Sequence, residues 1–226
     1  MNFTANAWVR TEAAFAAIRE TEFITELADG SLDRPTFEHY LVQDAHFIAG
    51  LDRALAIAAA KMPRRPTLVQ FTDAAAKVMN AEHALQGHVF RHWAIDSNTF
   101  AQTPIAPACT HYVSFIIAAA DAESNEVLMA TILPSLWLYA ELGRDLGRRP
   151  VADNPYQVWI DTYSSPLYQS SIAEMLAAVD AAAARASDPV REEMMASYLA
   201  AVQIECAFWD AAFRQQPLAV IRRRSA

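Results

Sequence analysis

The sequence predicts an all-α protein in which a single domain forms a bundle of helices. Glycine, which weakens helices, accounts for only 5 of the 226 residues, and alanine runs are frequent. Apolar residues recur at spacings of three and four, and no segment shows the alternation of a strand. Hydrophobic residues make up 54% of the sequence, enough to fill a sizeable core.

Turn and capping signals divide the chain into helical stretches. Asp33 followed by Pro35, and Asp188 followed by Pro189, are typical of helix N-termini, and residues 29–31 are typical of a turn. No repeat or linker separates two domains, so we expect one domain over residues 1–226, with a C-terminal tail at about 215–226. The predicted helices cover residues 6–19, 33–61, 66–94, a stretch around Tyr112 that ends near 120, 124–146, 154–163, 167–185 and 188–214.

The net charge and the distribution of charged residues indicate the expected cellular location and the classes of partner. The formal net charge of −8 gives no general attraction to nucleic acid, and the basic run at 222–224 is interpreted as a solvated tail. Charged residues at Arg10, Glu12 and Arg19 interrupt any secretory signal, and no charge-free apolar stretch is long enough to span a membrane. We therefore expect a cytoplasmic protein that binds neither nucleic acid nor membrane.

Metal and redox motifs are absent from the sequence. Cys109 and Cys206 form no CxxC pair, and no Glu-x-x-His pair of the kind used by helical di-iron sites occurs. Glu82 and His83 are adjacent, so they point in different directions on a helix. The sequence predicts no metal site and no cofactor.

Two acidic residues interrupt the apolar stripes of predicted helices. Asp44 and Glu205 each lie in the middle of a stripe, which predicts that both are buried. Burying a carboxylate without partners is costly, so each needs a reason. The stripes are Phe37, Leu41, Asp44, Ile48, Leu51 and Leu55, and Met194, Tyr198, Ala201, Glu205, Phe208 and Ala212.

Two explanations fit these inward carboxylates. Each could bond to a buried Tyr, Trp or Arg and hold helices together. Alternatively, a carboxylate between aromatic faces suits a planar, nitrogen-bearing heterocycle, which stacks on the rings and bonds to the acid. The aromatic residues one turn away are Tyr40 and Phe47 for Asp44, and Phe208 and Trp209 for Glu205.

Pro134 stands inside another predicted helix and precedes Ser135, which lies on that helix's inward stripe. The proline removes a backbone hydrogen bond and is interpreted either as a packing kink or as a device that presents Ser135 to a cavity. A serine without an adjacent base is a weak nucleophile, and no G-x-S-x-G motif occurs.

An ordered set of short motifs resembles the TenA family of thiamin-pyrimidine salvage proteins (thiaminase II). The resemblance runs through nearly the whole chain. Its residues are Trp8, Leu27-x-Asp29-Gly30-x-Leu32, Phe37-x-x-Tyr40-Leu41-x-Gln43-Asp44, Leu133-Pro134-Ser135-x-Trp137-x-Tyr139, Asn154-Pro155-Tyr156, Trp159-Ile160, Tyr163 and Glu205-x-x-Phe208-Trp209. It implies a haem-oxygenase-like helical fold, a homotetramer, and hydrolysis of thiamin or of its degraded aminopyrimidines to hydroxymethylpyrimidine.

The resemblance also implies roles for individual residues. Asp44 would bind the amino group and ring edge of a pyrimidine, and Glu205 would donate a proton to the ring. Tyr112 and Tyr163 would support the nucleophile and the substrate. The aromatic positions around the pyrimidine would be Phe47, Tyr139 and Phe208.

Ser135 is the main departure from the family pattern. Cysteine-bearing members carry the nucleophilic thiol at this position, and a hydroxyl has a pKa far above the value of about 8.5 for a thiol. Cys206 lies one position off the inward stripe of its helix and does not replace the thiol. A second departure is Thr21-Glu22-Phe23, where His-Pro-Phe is common.

Three functional hypotheses follow. The first is a hydrolase that acts on an aminopyrimidine from thiamin breakdown, using water or Ser135 as the nucleophile, with weak or absent thiamin cleavage. The second is a binding protein that keeps the pyrimidine pocket without the chemistry. The third is a transcriptional regulator, which the net charge of −8 and the lack of a helix-turn-helix motif disfavour.

Overall fold

Ten α-helices make up the part of the chain that the computed structural model describes, residues 1–61 and 66–214. No strand occurs within these residues, so the all-α prediction is confirmed. The helices are α1 (Phe3–Arg19), α2 (Glu22–Asp29), α3 (Arg34–Lys61), α4 (Pro66–His92), α5 (Ser97–Gln102), α6 (Pro107–Ala122), α7 (Asn125–Gly147), α8 (Gln157–Ser164), α9 (Pro166–Arg185) and α10 (Asp188–Arg214).

The capping predictions are mostly confirmed. Asp33 precedes α3, and its carboxylate accepts a hydrogen bond from the backbone N–H of Thr36 at 3.0 Å, as an N-cap does. The N-cap predicted at Asp188 is wrong by one residue, because α10 begins at Asp188 itself and the carbonyl of Ser187 accepts from Arg191 N–H. The tail predicted at 215–226 lies outside the described residues, and the single domain stays a prediction.

Two short helices, α2 and α5, were not predicted. The side chain of Thr21 accepts from Ile24 N–H at the start of α2, and Gly30 ends that helix with a φ of 82°. Asp96 caps α5 through the backbone N–H groups of Asn98 and Thr99. With 8 and 6 residues, these helices are too short for periodicity to reveal them and depend on their caps.

Helix α7 is the central element of the bundle. Most of its side chains are buried on every face, including Pro134 and Ser135, and it packs against α6, α8, α9 and α10. A helix that is apolar all round is expected in such a position. Around it, α3 pairs with α6, and α4 pairs with α9. No helix among the described residues is both long and apolar enough to cross a membrane.

Gly143 allows α8 to approach the backbone of α7 closely. A Cβ atom at this position would lie 2.4 Å from the carbonyl carbon and 2.5 Å from the Cβ of Tyr163. These are rigid atoms near the backbone, so they cannot give way as the end of a flexible side chain can. The missing side chain at Gly143 therefore fixes where Tyr163 stands.

We predict that Gly143→Ala lowers the free energy of unfolding by about 1–3 kcal/mol, because the added methyl group overpacks the contact with α8. Gly87→Ala in α4 is the matched control, since its Cβ would meet only the Arg91 side chain at 3.5 Å. That control should gain about 0.5–1 kcal/mol from helix propensity. Urea unfolding followed by circular dichroism measures both, and effects of equal sign would contradict the prediction.

Candidate active site

Three carboxylates are buried in the described part of the helical core. Asp44 on α3 is 3% exposed, Glu205 on α10 is 1% exposed, and Glu82 on α4 is 2% exposed. The burial of Asp44 and Glu205 agrees with the helical periodicity of the sequence. Glu82 was weighed in the sequence only as a metal ligand, and its burial was not predicted.

Glu205 has one satisfied oxygen and one unsatisfied oxygen. Trp209 Nε1–H donates to Glu205 Oε1 at 2.8 Å, whereas Oε2 is buried without a hydrogen-bond partner among the described residues. Burial raises the pKa of Glu205 to about 7, although the nearby Tyr112 and Trp209 lower it. The negative charge of Asp44 raises it further, which places the two carboxylates within electrostatic reach. Glu205 is therefore substantially protonated near neutral pH.

The hydroxyl of Tyr112 is the second unsatisfied group at this site. It is buried on α6 and makes no hydrogen bond of acceptable geometry within the described chain. It nevertheless lies close enough to Glu205 to affect the pKa of that carboxyl. The ring of Phe47 packs 4.7 Å from that of Tyr112, centroid to centroid, and 6.0 Å from that of Phe208. The structure thus brings together four of the predicted site residues.

Ser135 is buried on α7, but its hydroxyl is committed to the backbone. Ser135 Oγ–H donates to the carbonyl oxygen of Ile132 at 2.8 Å. A serine nucleophile needs a base to take its proton, and here the proton is directed at a peptide carbonyl, which is a poor base. Ser135 also lies close enough to Tyr112 to lower the pKa of that phenol, but no base accepts the serine proton among the described residues.

Asp44 is held by a residue from the neighbouring helix. Gln86 Nε2–H of α4 donates to Asp44 Oδ2 at 2.9 Å. Burial raises the pKa of Asp44 to about 7, and the hydrogen bond from Gln86 opposes this effect. The amide fixes the orientation of the carboxyl without supplying a full positive charge.

Tyr163 lies next to Glu82. The Tyr163 hydroxyl donates to Glu82 Oε2 at 2.6 Å, and the Tyr168 hydroxyl donates to Oε1 at 3.1 Å. Burial raises the pKa of Glu82 to about 8, the charge of Asp44 adds to the increase, and the two phenols oppose it. Tyr163 was predicted to support the nucleophile and the substrate; its hydrogen-bond partner was not foreseen.

Tyr139 connects the two halves of the site. Its ring lies 5.0 Å from the ring of Tyr163 and 5.3 Å from that of Trp209, centroid to centroid. One neighbour holds Glu82 and the other holds Glu205. All eight predicted site residues are therefore buried in one continuous cluster, although their functional roles stay predictions.

A sequence signal for Glu82 did exist. The positions Val78, Glu82, Leu85 and Val89 follow helical spacing and are all buried. This stripe in α4 is of the same kind that indicated Asp44. The hydrogen bonds that Gln86 and Tyr168 make had no such signal, because their partners lie 42 and 86 residues away in the sequence.

Comparison with known proteins assigns the chain to a family. The sequence model of the TENA/THI-4/PQQC family matches residues 12–215. The chain belongs to this family. It is 32% identical over 213 residues to the thiamine biosynthesis multifunctional protein ThiED of Corynebacterium efficiens, covering 94% of this chain and only 28% of that protein. It is 24% identical to an aminopyrimidine aminohydrolase of Halalkalibacterium halodurans, covering 96% of this chain and 97% of that protein.

The fold of this TENA/THI-4/PQQC family member matches solved relatives. A TenA homologue from P. horikoshii superimposes with a TM-score of 0.83 at 22% identity, covering 96% of this chain and all of that chain. The haem-oxygenase-like helical fold implied by the resemblance is therefore confirmed.

In this family member neither cysteine provides a reactive thiol. Cys109 is buried, its Sγ donates to the carbonyl of Gln43 at 3.4 Å, and burial together with the charge of Asp44 raises its pKa to about 12. Cys206 is partly exposed, and burial raises its pKa as well. Reactive cysteines have lowered pKa values, so these are structural thiols. Within residues 1–61 and 66–214, no group of three or more His, Cys, Asp or Glu side chains is arranged to hold a metal ion.

We predict that Glu205→Gln stabilises the protein at pH 8.5. Because its pKa rises on folding from 4.5 to about 7, the folded state holds a proton that the unfolded state releases, and stability falls as pH rises through this window. The shift corresponds to at most about 3 kcal/mol, so the variant's Tm should exceed that of the wild type by roughly 6–12 °C.

At pH 4.5 the gain in Tm should be much smaller, since the folded state is then protonated and the unfolded state, with a pKa of 4.5, is already about half protonated. Glu12→Gln, at an exposed position of α1, controls for the loss of one negative charge. Scanning calorimetry across this pH range measures the effect, and a gain independent of pH would contradict the prediction.

Proposed function

We propose that the protein hydrolyses an aminopyrimidine produced by thiamin breakdown and returns a hydroxymethylpyrimidine. The observation that carries this proposal is a pair of buried groups, Glu205 Oε2 and the hydroxyl of Tyr112, which have no partner of acceptable hydrogen-bond geometry among residues 1–61 and 66–214 and lie beside the rings of Phe47 and Phe208. Buried polar groups are rarely left unpaired, and a flat heterocycle that stacks on the rings would supply the missing partners.

Glu205 is the proposed acid. A carboxyl with a pKa of about 7 carries a proton at neutral pH and can donate it. Protonating a ring nitrogen withdraws electrons from the pyrimidine and makes it more open to nucleophilic attack. The hydrogen bond from Trp209 holds Oε1, so Oε2 is the oxygen that faces the ligand in this proposal.

Asp44 is the proposed anchor for the exocyclic amino group. Its carboxyl is fixed in orientation by Gln86 and is close enough to Glu205 for its charge to raise the pKa of that residue. Tyr139, which contacts Trp209 and Tyr163, would complete the aromatic wall. These contacts define the ring edge that carries the amine.

Water is the proposed nucleophile. The hydroxyl of Ser135 donates to Ile132, and Cys109 has a pKa of about 12, so neither offers an ionised group. Thiamin cleavage needs displacement of a bulky thiazolium, which a cysteine nucleophile achieves in the family. We therefore propose that thiamin is a poor substrate and that the simpler aminopyrimidine is hydrolysed.

The relatives support this choice of substrate class. The Halalkalibacterium halodurans protein named aminopyrimidine aminohydrolase is matched over nearly its full length, whereas the chain spans about 28% of the ThiED protein of Corynebacterium efficiens. The second candidate is a pyrimidine-binding protein without turnover, which the inactive geometry of Ser135 favours. A regulator that contacts DNA fits poorly with a net charge of −8. Assembly as a homotetramer is proposed from the family resemblance alone, and a cytoplasmic location is proposed from the sequence signals described above.

We predict that Glu205→Gln lowers kcat for an aminomethylpyrimidine by about 10²–10⁴-fold, because the amide cannot donate the proton that the reaction needs. Gln keeps the acceptor for Trp209, so the fold should persist. Ammonia release coupled to mass spectrometry of the pyrimidine product measures turnover, with Glu12→Gln as the surface control. Equal rates for wild type and Glu205→Gln would rule out the assigned role.

We predict that two substitutions of Ser135 affect the two candidate substrates differently. Ser135→Ala should keep aminopyrimidine turnover within about tenfold, because a hydroxyl that is not activated contributes little to the reaction. Ser135→Cys should increase thiamin cleavage, because a thiol ionises several pH units below a hydroxyl. Liquid chromatography of thiamin and its pyrimidine product tests both. Loss of aminopyrimidine turnover in Ser135→Ala would instead identify Ser135 as the nucleophile.

A further inference from the structure

Of the three carboxylates that are buried among the described residues, Glu82 is the one that the proposed mechanism does not use. Both of its oxygens are occupied, Oε2 by the hydroxyl of Tyr163 and Oε1 by that of Tyr168. It is as deeply buried as Asp44 and Glu205. An uncharged amide at this position would avoid the cost of burying a charge, but its oxygen could accept from only one of the two phenols, so the pair of accepted hydrogen bonds requires a carboxyl group.

Tyr163 stands between Glu82 and the rest of the site. Its proton is committed to Glu82 Oε2 at 2.6 Å, so its oxygen can only accept a hydrogen bond from another donor. Its ring packs on Tyr139, which leads to the Glu205 half of the site. The charge of Asp44 acts on Tyr163 as well. A water molecule beside the ligand amine is the kind of donor that this oxygen would accept.

We propose that Glu82 is the base of the hydrolysis and that it takes the proton of the attacking water through the hydroxyl of Tyr163. This inference rests on the proposed function and supplies its missing base. Tyr163 is the group that touches the water. Glu82 does not touch the substrate, so it acts as a positioning residue for Tyr163 and as the final proton acceptor.

The proton transfers balance. Water gives one proton to the oxygen of Tyr163 as Tyr163 gives its own proton to Glu82 Oε2, and the water oxygen bonds to the substrate carbon. The carbon–nitrogen bond breaks, and its electron pair leaves with the amine, which departs with the proton that Glu205 has delivered to the substrate. Glu82 then carries an extra proton and Glu205 lacks one, so exchange with solvent restores both.

The surroundings of Glu82 favour this proton uptake. The elements packed around α4 present Asp44 and Tyr40 from α3, Tyr163 from α8 and Tyr168 from α9. Burial and the charge of Asp44 raise the pKa of Glu82 to about 8, while the phenols lower it. The result is a base stronger than an exposed glutamate, and two hydrogen bonds hold it in one orientation.

The test compares Glu82→Gln with wild type over pH 5.5–9.5, using 4-amino-5-aminomethyl-2-methylpyrimidine as substrate. Wild type should give a bell-shaped profile of kcat/KM, because the reaction needs Glu82 ionised and Glu205 protonated. Glu82→Gln should lower kcat by about 10²–10³-fold with KM within about threefold. The kcat/KM of this variant should no longer fall at low pH, since the acid limb of the profile reports protonation of Glu82. Glu82→Asp should restore the limb.

Tyr198→Phe is the matched control, because it removes a buried phenol hydroxyl that contacts Thr11 at 3.4 Å and has no part in the proposed relay. It should keep the bell shape and most of kcat. If Glu82→Gln fails to fold, Tyr163→Phe carries the test and should lose the same limb. If the wild type is active and the pH profile of kcat/KM is unchanged in Glu82→Gln or in Tyr163→Phe, the proposed relay is wrong and the proposed function stands. A wild type that turns over no aminopyrimidine overturns the proposed function and the relay together.

Discussion

The burial of carboxylates inside a helical bundle is the constraint on which the described structure depends. A charge taken out of water must be neutralised by protonation or held by donors, and no guanidinium or ammonium group does so at Asp44, Glu82 or Glu205 in the contacts observed. Amides, phenols and an indole take that role instead. These donors lie on α4, α8, α9 and α10, so the helices must meet in one arrangement for the core to be stable.

The three carboxylates differ in how fully they are satisfied. Glu82 has a donor on each oxygen, whereas Glu205 has a donor on one oxygen and, within the described part of the chain, none on the other. Asp44 interacts electrostatically with both of these groups, because its charge raises the pKa of Glu82 and the pKa of Glu205. A carboxyl group whose oxygens both have hydrogen-bond donors is suited to a fixed orientation away from the substrate. A carboxyl group with one oxygen still available is suited to direct contact with a ligand. This gradient supports the division of roles between Glu82 and Glu205.

The helical periodicity of apolar residues is enough to predict a large part of this structure. It placed most helices and the burial of Asp44 and Glu205, since both effects depend on neighbours within two turns. It did not find the bonds of Gln86 and Tyr168, because those pairs form between distant helices, and it missed α2 and α5, which rely on caps at Thr21 and Asp96. Tyr112 and Tyr163 came from the family resemblance, as no stripe distinguishes a functional tyrosine from a core one.

Glu205 Oε2 and the hydroxyl of Tyr112, which find no hydrogen-bond partner among the described residues, affect how the site would discriminate between ligands of the same shape. If the site binds a pyrimidine as proposed, a benzene ring of the same outline would fit it too and would stack on Phe47 and Phe208 equally well. It would nevertheless leave Glu205 Oε2 without the ring nitrogen, and Asp44 without the amino group, that the proposed function assigns to them, which would cost binding free energy. Discrimination at this site would therefore depend on the placement of nitrogen around the ring rather than on the outline of the molecule.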